Sequence, residues 1–339
     1  MPLPGRPLRR LGFLTIGLFD PARPAEGHET TLRLIELGER LGFDSAWLRQ
    51  RHLQYGISSP VAVLAAATQR TSRIELGTAV IPLGAENPLR LAEDLATVDV
   101  LSGGRLTPGF SVGTPLHFDD YKEALYPGTW QAEDLGYGRL LRLRSFLRGE
   151  TVSDFSGREG IEEFSPRVEP HAPGLAERLW HGAGSLRSAR WAGEHGFRLL
   201  TSSVVDSELG LDFAANQAAQ IDEFRAHHPQ GERAPVSQGL VVIPTDSASS
   251  AQKERYRAYV DSRAGRVGVA HGPRGMLFAA DLMGPSAELA ERLYAHAGFQ
   301  RVDEVAFALP FSFGPEDYEQ LLGDLAGSLG PLLGWSPRP

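Results

Sequence analysis

Short apolar runs alternate with helical patterns along almost the whole chain, and this alternation restricts the fold more than any other feature. The apolar runs cover residues 13–19, 44–48, 74–81, 106–112, 178–181, 197–201, 236–243 and 304–309. Some are apolar at every position, as residues 239–243 are, which suits strands buried on both faces. Helical periodicity covers residues 27–41, 60–70, 88–101, 131–148, 185–195, 211–227, 247–262, 285–297 and 315–328. Ser59 before Pro60 reads as a helix start, and Gly103-Gly104 as a helix stop. Repeated strand-then-helix units predict a parallel sheet, closed as a (β/α)8 barrel of the TIM type. An open doubly wound sheet is the alternative, but eight regular units without a break in composition favour the barrel. Pro108 removes a ladder donor from the fourth run, so a bulge is expected there.

Three stretches exceed the minimal alternation and read as insertions. Residues 113–130 follow the fourth strand, 149–174 precede the fifth, and 263–284 precede the eighth. The 339 residues are expected to form one domain, since α/β barrels reach this size as single units.

Composition excludes several functions. A net charge of −8 leaves no basic face for nucleic acid. The absence of cysteine excludes structural disulfides and thiolate metal sites, and suits a reducing compartment. Residues 1–10 are rich in Pro and Arg and lack the apolar core of a signal peptide. No apolar run approaches the ~20 residues that span a membrane. A cytoplasmic protein is the expectation.

The segment Leu179-Trp-His-Gly-Ala-Gly-Ser-Leu-Arg-Ser188 carries the strongest local signal. An apolar run ends in small residues, and a helix pattern begins at Ser185. Free N–H groups and the positive dipole end suit a phosphate there. Gly182, Ala183 and Gly184 let a ligand approach the backbone, and Ser185 and Ser188 share one helix face. The simpler alternative is a serine N-cap after a flexible loop.

In a barrel, function sits at the C-terminal ends of the strands. Those ends carry few carboxylates and no cluster with metal spacing, which argues against a glycosidase or a metal enzyme. His52 is the candidate acid or base, with a packed histidine as the alternative. Arg51 follows the same strand, and the alternation of Arg49 and Arg51 points at least one of them inward. In the stretch 113–130, His117, Phe118 and Tyr121 are candidates to line a substrate pocket, with a packed surface excursion as the alternative. Trp180, at the end of the fifth run, is a further pocket candidate. An apolar mouth with a phosphate socket suggests that a cofactor carries the chemistry.

The sequence resembles the bacterial luciferase-like monooxygenase family of flavin-dependent oxidoreductases. The resemblance rests on Leu37-Gly-Glu-Arg-Leu-Gly-Phe-Asp-Ser-Ala-Trp47, on the stretch from Pro60 to Val80, and on the block from Asn87 to Arg105. Gly184-Ser-Leu-Arg-Ser-Ala-Arg-Trp-Ala-Gly193 matches the family's phosphate helix. The block after Leu76-Gly-Thr-Ala-Val80 is the most specific part.

The resemblance implies FMN at the barrel mouth, with the ring near Ala79, Val80 and Ser111, the phosphate at Gly184, Ser185 and Ser188, and Thr114 as a further cofactor-binding residue. It implies a cis peptide at Ala79–Val80. It also implies a two-component monooxygenase: a separate flavin reductase supplies reduced FMN, and O2 oxidises a small organic substrate. A deazaflavin (F420) hydride-transfer enzyme and a non-catalytic flavin-binding protein are the alternatives. A homodimer is a family-level expectation. Two positions depart from the family pattern. Arg51 stands where members carry the first His of Glu-His-His, and Val112 stands where they carry the Arg of Gly-x-Gly-Arg-Gly. Arg187 or an arginine of the stretch 263–274 is the expected substitute at the phosphate.

Overall fold

The computed structural model describes residues 7–337. Most of the Pro- and Arg-rich start and the last two residues of the tail lie outside them. Eight strands form in the predicted places: β1 (Arg10–Thr15), β2 (Ser45–Leu48), β3 (Glu75–Thr78, resuming at Ile81–Pro82), β4 (Leu106–Thr107, resuming at Gly109–Ser111), β5 (Trp180–Ala183), β6 (Arg198–Thr201), β7 (Val236–Gln238) and β8 (Glu304–Ala308). All pair in parallel, each with the next. β8 pairs with β1, so the order of neighbours returns on itself. The result is one curled parallel sheet of ten segments, consistent with a (β/α)8 barrel.

The two interrupted strands have local causes. Pro108 breaks β4 because it has no N–H for the ladder. The Thr78 hydroxyl fills the gap, accepting from the Gly109 N–H at 2.9 Å and donating to its carbonyl at 2.9 Å. β3 is interrupted at Ala79–Val80, whose peptide bond is cis.

The shell helices are α1 (Pro24–Arg40), α2 (Pro60–Thr68), α3 (Pro88–Ser102), α4 (Phe118–Leu125), α5 (Tyr137–Leu147), α6 (Leu186–Glu194), α7 (Phe213–His227), α8 (Ser250–Ala264), α9 (Ser286–Ala295) and α10 (Pro315–Asp324). α3 stops at Gly103, whose left-handed φ of 70° suits a residue without a Cβ. Among the described residues, no helix is long and apolar enough to cross a membrane.

Several boundaries differ from the periodicity. β1 ends at Thr15, and the apolar residues after it run into the loop at the mouth. The run 236–243 splits: β7 stops at Gln238, and Val242–Pro244 pairs with Leu282–Gly284 in a separate small sheet. The helix expected over 131–148 begins only at Tyr137, after a single 3-10 turn at Trp130–Ala132. Within the stretch 113–130 lies α4. The stretch 149–174 carries an antiparallel hairpin, Gly157–Glu159 with Glu162–Phe164. In the stretch 263–284, Met276–Phe278 pairs antiparallel with Val204–Asp206.

Aromatic residues fill the lower half of the barrel. Trp47 and Trp180 meet edge to face, with ring centroids 5.5 Å apart. Each indole N–H finds a hydroxyl: Ser45 Oγ at 2.8 Å and Thr107 Oγ1 at 2.6 Å. A Cβ at Gly77 would lie 2.4 Å from the Trp47 ring, so glycine is what admits this indole. Leu14, Ala79, Val80, Leu200 and Ala306 pack on the pair.

On the shell, Glu39 gathers three consecutive amides, with Ser72, Arg73 and Ile74 N–H groups donating at 3.0, 2.7 and 2.8 Å. Partial burial opposes its charge, but these donors outweigh burial and hold the carboxyl below its ordinary range. Because the folded value is depressed, the stabilisation is complete above the unfolded pKa and lost as pH falls through the folded one. Glu39→Gln is expected to cost about 1–3 kcal/mol at pH 7. Urea unfolding at descending pH should show the difference from wild type beginning to shrink below about pH 4, near the unfolded pKa, and vanishing only below the depressed folded pKa, where both side chains are neutral. A cost that does not change with pH would remove the charge from the explanation.

Candidate active site

Above the tryptophan pair the barrel opens into a cavity of about 630 Å³ at the C-terminal ends of the strands. A second cavity, of about 480 Å³, lies on the shell between α1 and α10. Only the first draws on the strand ends, and it gathers most of the residues singled out from sequence. Arg51, Ala79, Val80, Ser111, Gly182, Ala183, Gly184, Ser185 and Ser188 all line it.

Six predicted residues do not. Trp180 is 2% exposed and belongs to the packed pair beneath the cavity, because its side chain points down the barrel to Thr107. Thr114 and His117 are exposed on the insertion after β4. His117 immediately precedes α4, where its φ is 58°. Phe118 and Tyr121 are buried in the contact between α4 and the rest of the protein, with rings 5.8 Å apart. His52 lies behind the wall, its ring 5.2 Å from that of Tyr121. Its Nε2 is 3.5 Å from Gln50 Nε2, and Gln50 donates to Glu86 at 2.9 Å. Burial pushes the His52 pKa down and the Glu86 charge works against that shift.

At one end of the cavity, β5 runs through Gly184 into α6. Ser185 is the N-cap, and its Oγ accepts from the Ser188 N–H at 3.2 Å. Ser188 Oγ lies 2.9 Å from His181 Nε2. Complete burial pushes the His181 pKa down to about 4, so this imidazole is neutral at pH 7. A Cβ at Gly184 would lie 3.6 Å from Arg274 Nη2, which places that guanidinium beside the loop. Arg274 also pairs with Asp206 at 3.0 Å. The Leu186 N–H, in the first turn of α6, donates to Glu208 at 2.6 Å. Capping and an anion-attracting end therefore coexist here. Arg187 is exposed and does not line the cavity, whereas Arg274 of the 263–274 stretch does.

The opposite wall is cationic too. Arg49 and Arg51 both line the cavity, as do Arg263 and Arg266. Asp281 pairs with Arg263 and Arg266. Arg49 donates to Gln54 at 2.7 Å and lies 5.4 Å from the centroid of the Phe311 ring. Burial, then the charge of Arg51, lowers its pKa to about 10, so it stays protonated at pH 7. Burial lowers the Arg51 pKa as well.

Sequence reasoning did not single out Tyr137, His181 or Phe311 as site residues, although all three line the cavity. Tyr137 stacks on Trp191 of α6 at 4.0 Å, a contact between elements far apart in the chain. His181 alone had a signal, since it sits one residue before the glycine loop.

The model of the luciferase-like monooxygenase family matches residues 10–303. The chain belongs to this family. The alkanal monooxygenase alpha chain of the Kryptophanaron alfredi symbiont is 26% identical over 187 residues, 53% of this chain. The match spans half the length of that relative, 50%. Among solved structures, the oxygenating constituent of 3,6-diketocamphane monooxygenase from Pseudomonas putida, in complex with FMN, superposes with a TM-score of 0.66. It is 16% identical and covers 96% of this chain and 98% of its own. An F420-dependent secondary alcohol dehydrogenase gives a TM-score of 0.60 at 15% identity, over 92% of this chain and 98% of its own. Such low identities establish the shared fold alone.

Proposed function

We propose that the chain is a flavin-dependent monooxygenase that takes reduced FMN from a separate reductase and uses O2 to oxidise a small organic substrate. One observation carries this reading: a single cavity joins a helix N-terminus with two serines and an arginine to an apolar floor. Ser185, Ser188 and Arg274 would hold the phosphate. Leu14, Ala79, Val80 and Ala306 would meet the ring. The buried hydroxyls of Thr201 and Ser237 line the same cavity without a partner among the described residues. Hydroxyls in that state suit the polar edge of a bound ring.

Reduced flavin supplies the electrons that activate dioxygen. The chain's own part is to bind, orient and shield. Phe278 and Phe311 help to line the cavity and would limit water near the reacting atoms. Arg51 is fixed as a cation and acts by charge rather than by proton transfer. His52 lies behind the wall and would act through Gln50 and Tyr121, as a positioning residue.

Spectral titration with FMN and with F420, followed by O2 consumption with reduced FMN, tests the proposal. The expected result is tighter binding of FMN, with uptake of O2 that depends on a bound organic substrate. Preference for F420 would move the chain to hydride transfer. FMN binding without any O2 chemistry would leave a flavin-binding protein. A further outcome concerns Glu208, whose carboxylate accepts the Leu186 N–H in the first turn of α6. Glu208→Gln is expected to tighten FMN binding about two- to fivefold, the usual worth of one charge at an exposed helix end. Weaker binding on this change would place the phosphate elsewhere.

A further inference from the structure

Five arginines line the cavity, and none of the residues lining it carries a carboxylate. Three of the five pair with two carboxylates. Asp281 faces Arg263 and Arg266, and Asp206 faces Arg274. Among the described residues, Arg49 and Arg51 have no such counter-charge. Among the described residues, Arg49's one side-chain hydrogen bond goes to the neutral amide of Gln54, and its buried Nε has no partner. The Arg51 guanidinium makes no side-chain hydrogen bond or ion pair among the described residues; the Tyr121 phenol and the like charge of Arg49 are the titratable groups that act on it.

Two partly buried guanidinium groups side by side repel each other and lose hydration. An arriving oxyanion removes both penalties. A guanidinium offers a planar fork of N–H donors matched to two oxygens of one acid group. The pair stands at the end of β2, and the phosphate end belongs to β5 and α6. On a ring of eight strands these are three places apart, so a single phosphate at α6 leaves the second site to another anion.

We propose that Arg49 and Arg51 bind the acid group of the substrate, which is therefore a small organic acid, a carboxylate or sulfonate with an apolar body. Ile16 and Phe311 give that body its contact surface. The inference rests on the flavin reading, because the phosphate must occupy the other end.

Calorimetric titration of the full chain with octanoate, octane-1-sulfonate and octanamide tests it, with and without FMN. Both acids are expected to bind at least about tenfold more tightly than the amide, and more weakly as salt rises. Arg49→Gln and Arg51→Gln should each weaken acid binding about tenfold or more and leave the affinity for FMN within about twofold. Arg51→Lys, which keeps the charge and removes the fork, guards against misfolding and should fall between wild type and Arg51→Gln. The tighter of the two acids identifies the acid group. Equal binding of octanamide would overturn the proposal. So would loss of FMN affinity in the Arg49 and Arg51 variants, or acid binding that fails only in Arg274→Gln. Acids that bind as expected to a protein that takes no FMN would sustain the anion site and overturn the flavin reading.

Discussion

Arg139→Met is expected to lower the free energy of unfolding by about 3–5 kcal/mol, the usual cost of leaving a buried charge network without one partner. Arg139 lies in the first turn of α5 and is 4% exposed. Its guanidinium donates to the carbonyls of Asp134 and Glu86, each at 2.7 Å, to the Tyr126 hydroxyl, and to the Glu133 carboxylate. One side chain thereby ties α5 to the end of the insertion after β4 and to the turn after β3. The connection continues inward, since the Glu86 carboxylate accepts from Gln50 beside His52. Methionine fills much of the volume but satisfies none of these acceptors. Glu133→Gln should cost far less, because that carboxylate is partly exposed and regains water. Urea unfolding at pH 7 measures both, and limited proteolysis should show the 113–136 stretch cut sooner in the Arg139 variant. A loss below about 1 kcal/mol would mean that the insertion is held by its apolar contacts instead.

The sheet was legible because buried parallel strands are apolar on both faces, so the eight runs stand out without any partner in view. Pro108 also announced its own break. What the sequence does not print is where pairing stops. The run 236–243 is apolar throughout, yet only Val236–Gln238 belongs to the curled sheet. Val242–Pro244 is equally buried but pairs with a strand of the 263–284 stretch, a choice made by tertiary contact and invisible to periodicity. The helix α4 was hidden for another reason. Its Asp side chains face solvent, and its few apolar residues, Phe118 and Tyr121, read equally well as a pocket lining.

The same distinction governs the site. Residues on the glycine loop were found because small residues before a helix start have a local meaning. The arginine pair was half legible. Alternation brought one of Arg49 and Arg51 inward, and the cavity takes both, since residues past the end of β2 no longer follow the pleat. Trp180 was misplaced because a tryptophan at a strand end looks the same in sequence whether it points to the mouth or to the core. The direction was set by Thr107, on the neighbouring strand.

Alanine at both Ser185 and Ser188 is expected to raise the Kd for FMN about a hundredfold, and to leave the Kd for riboflavin nearly unchanged. Each hydroxyl that donates to a phosphate oxygen makes a charge-assisted bond worth about 1.5–3 kcal/mol, so two bonds lost give at least this factor. Riboflavin lacks the phosphate and should not sense the change. Stability should fall by about 1 kcal/mol, because Ser185 also caps α6 through the Ser188 N–H. His181 loses its neighbour in the double variant but is neutral, so no buried charge is stranded. Arg274→Gln should act in the same direction with a smaller effect, near tenfold, since this arginine already shares its charge with Asp206. Fluorescence titration against both ligands, with thermal unfolding alongside, separates the possibilities. If the double variant is strongly destabilised while its preference for FMN over riboflavin persists, the two serines only cap the helix. The phosphate would then have to be held by Arg49 and Arg51, and the cavity would read in the opposite direction.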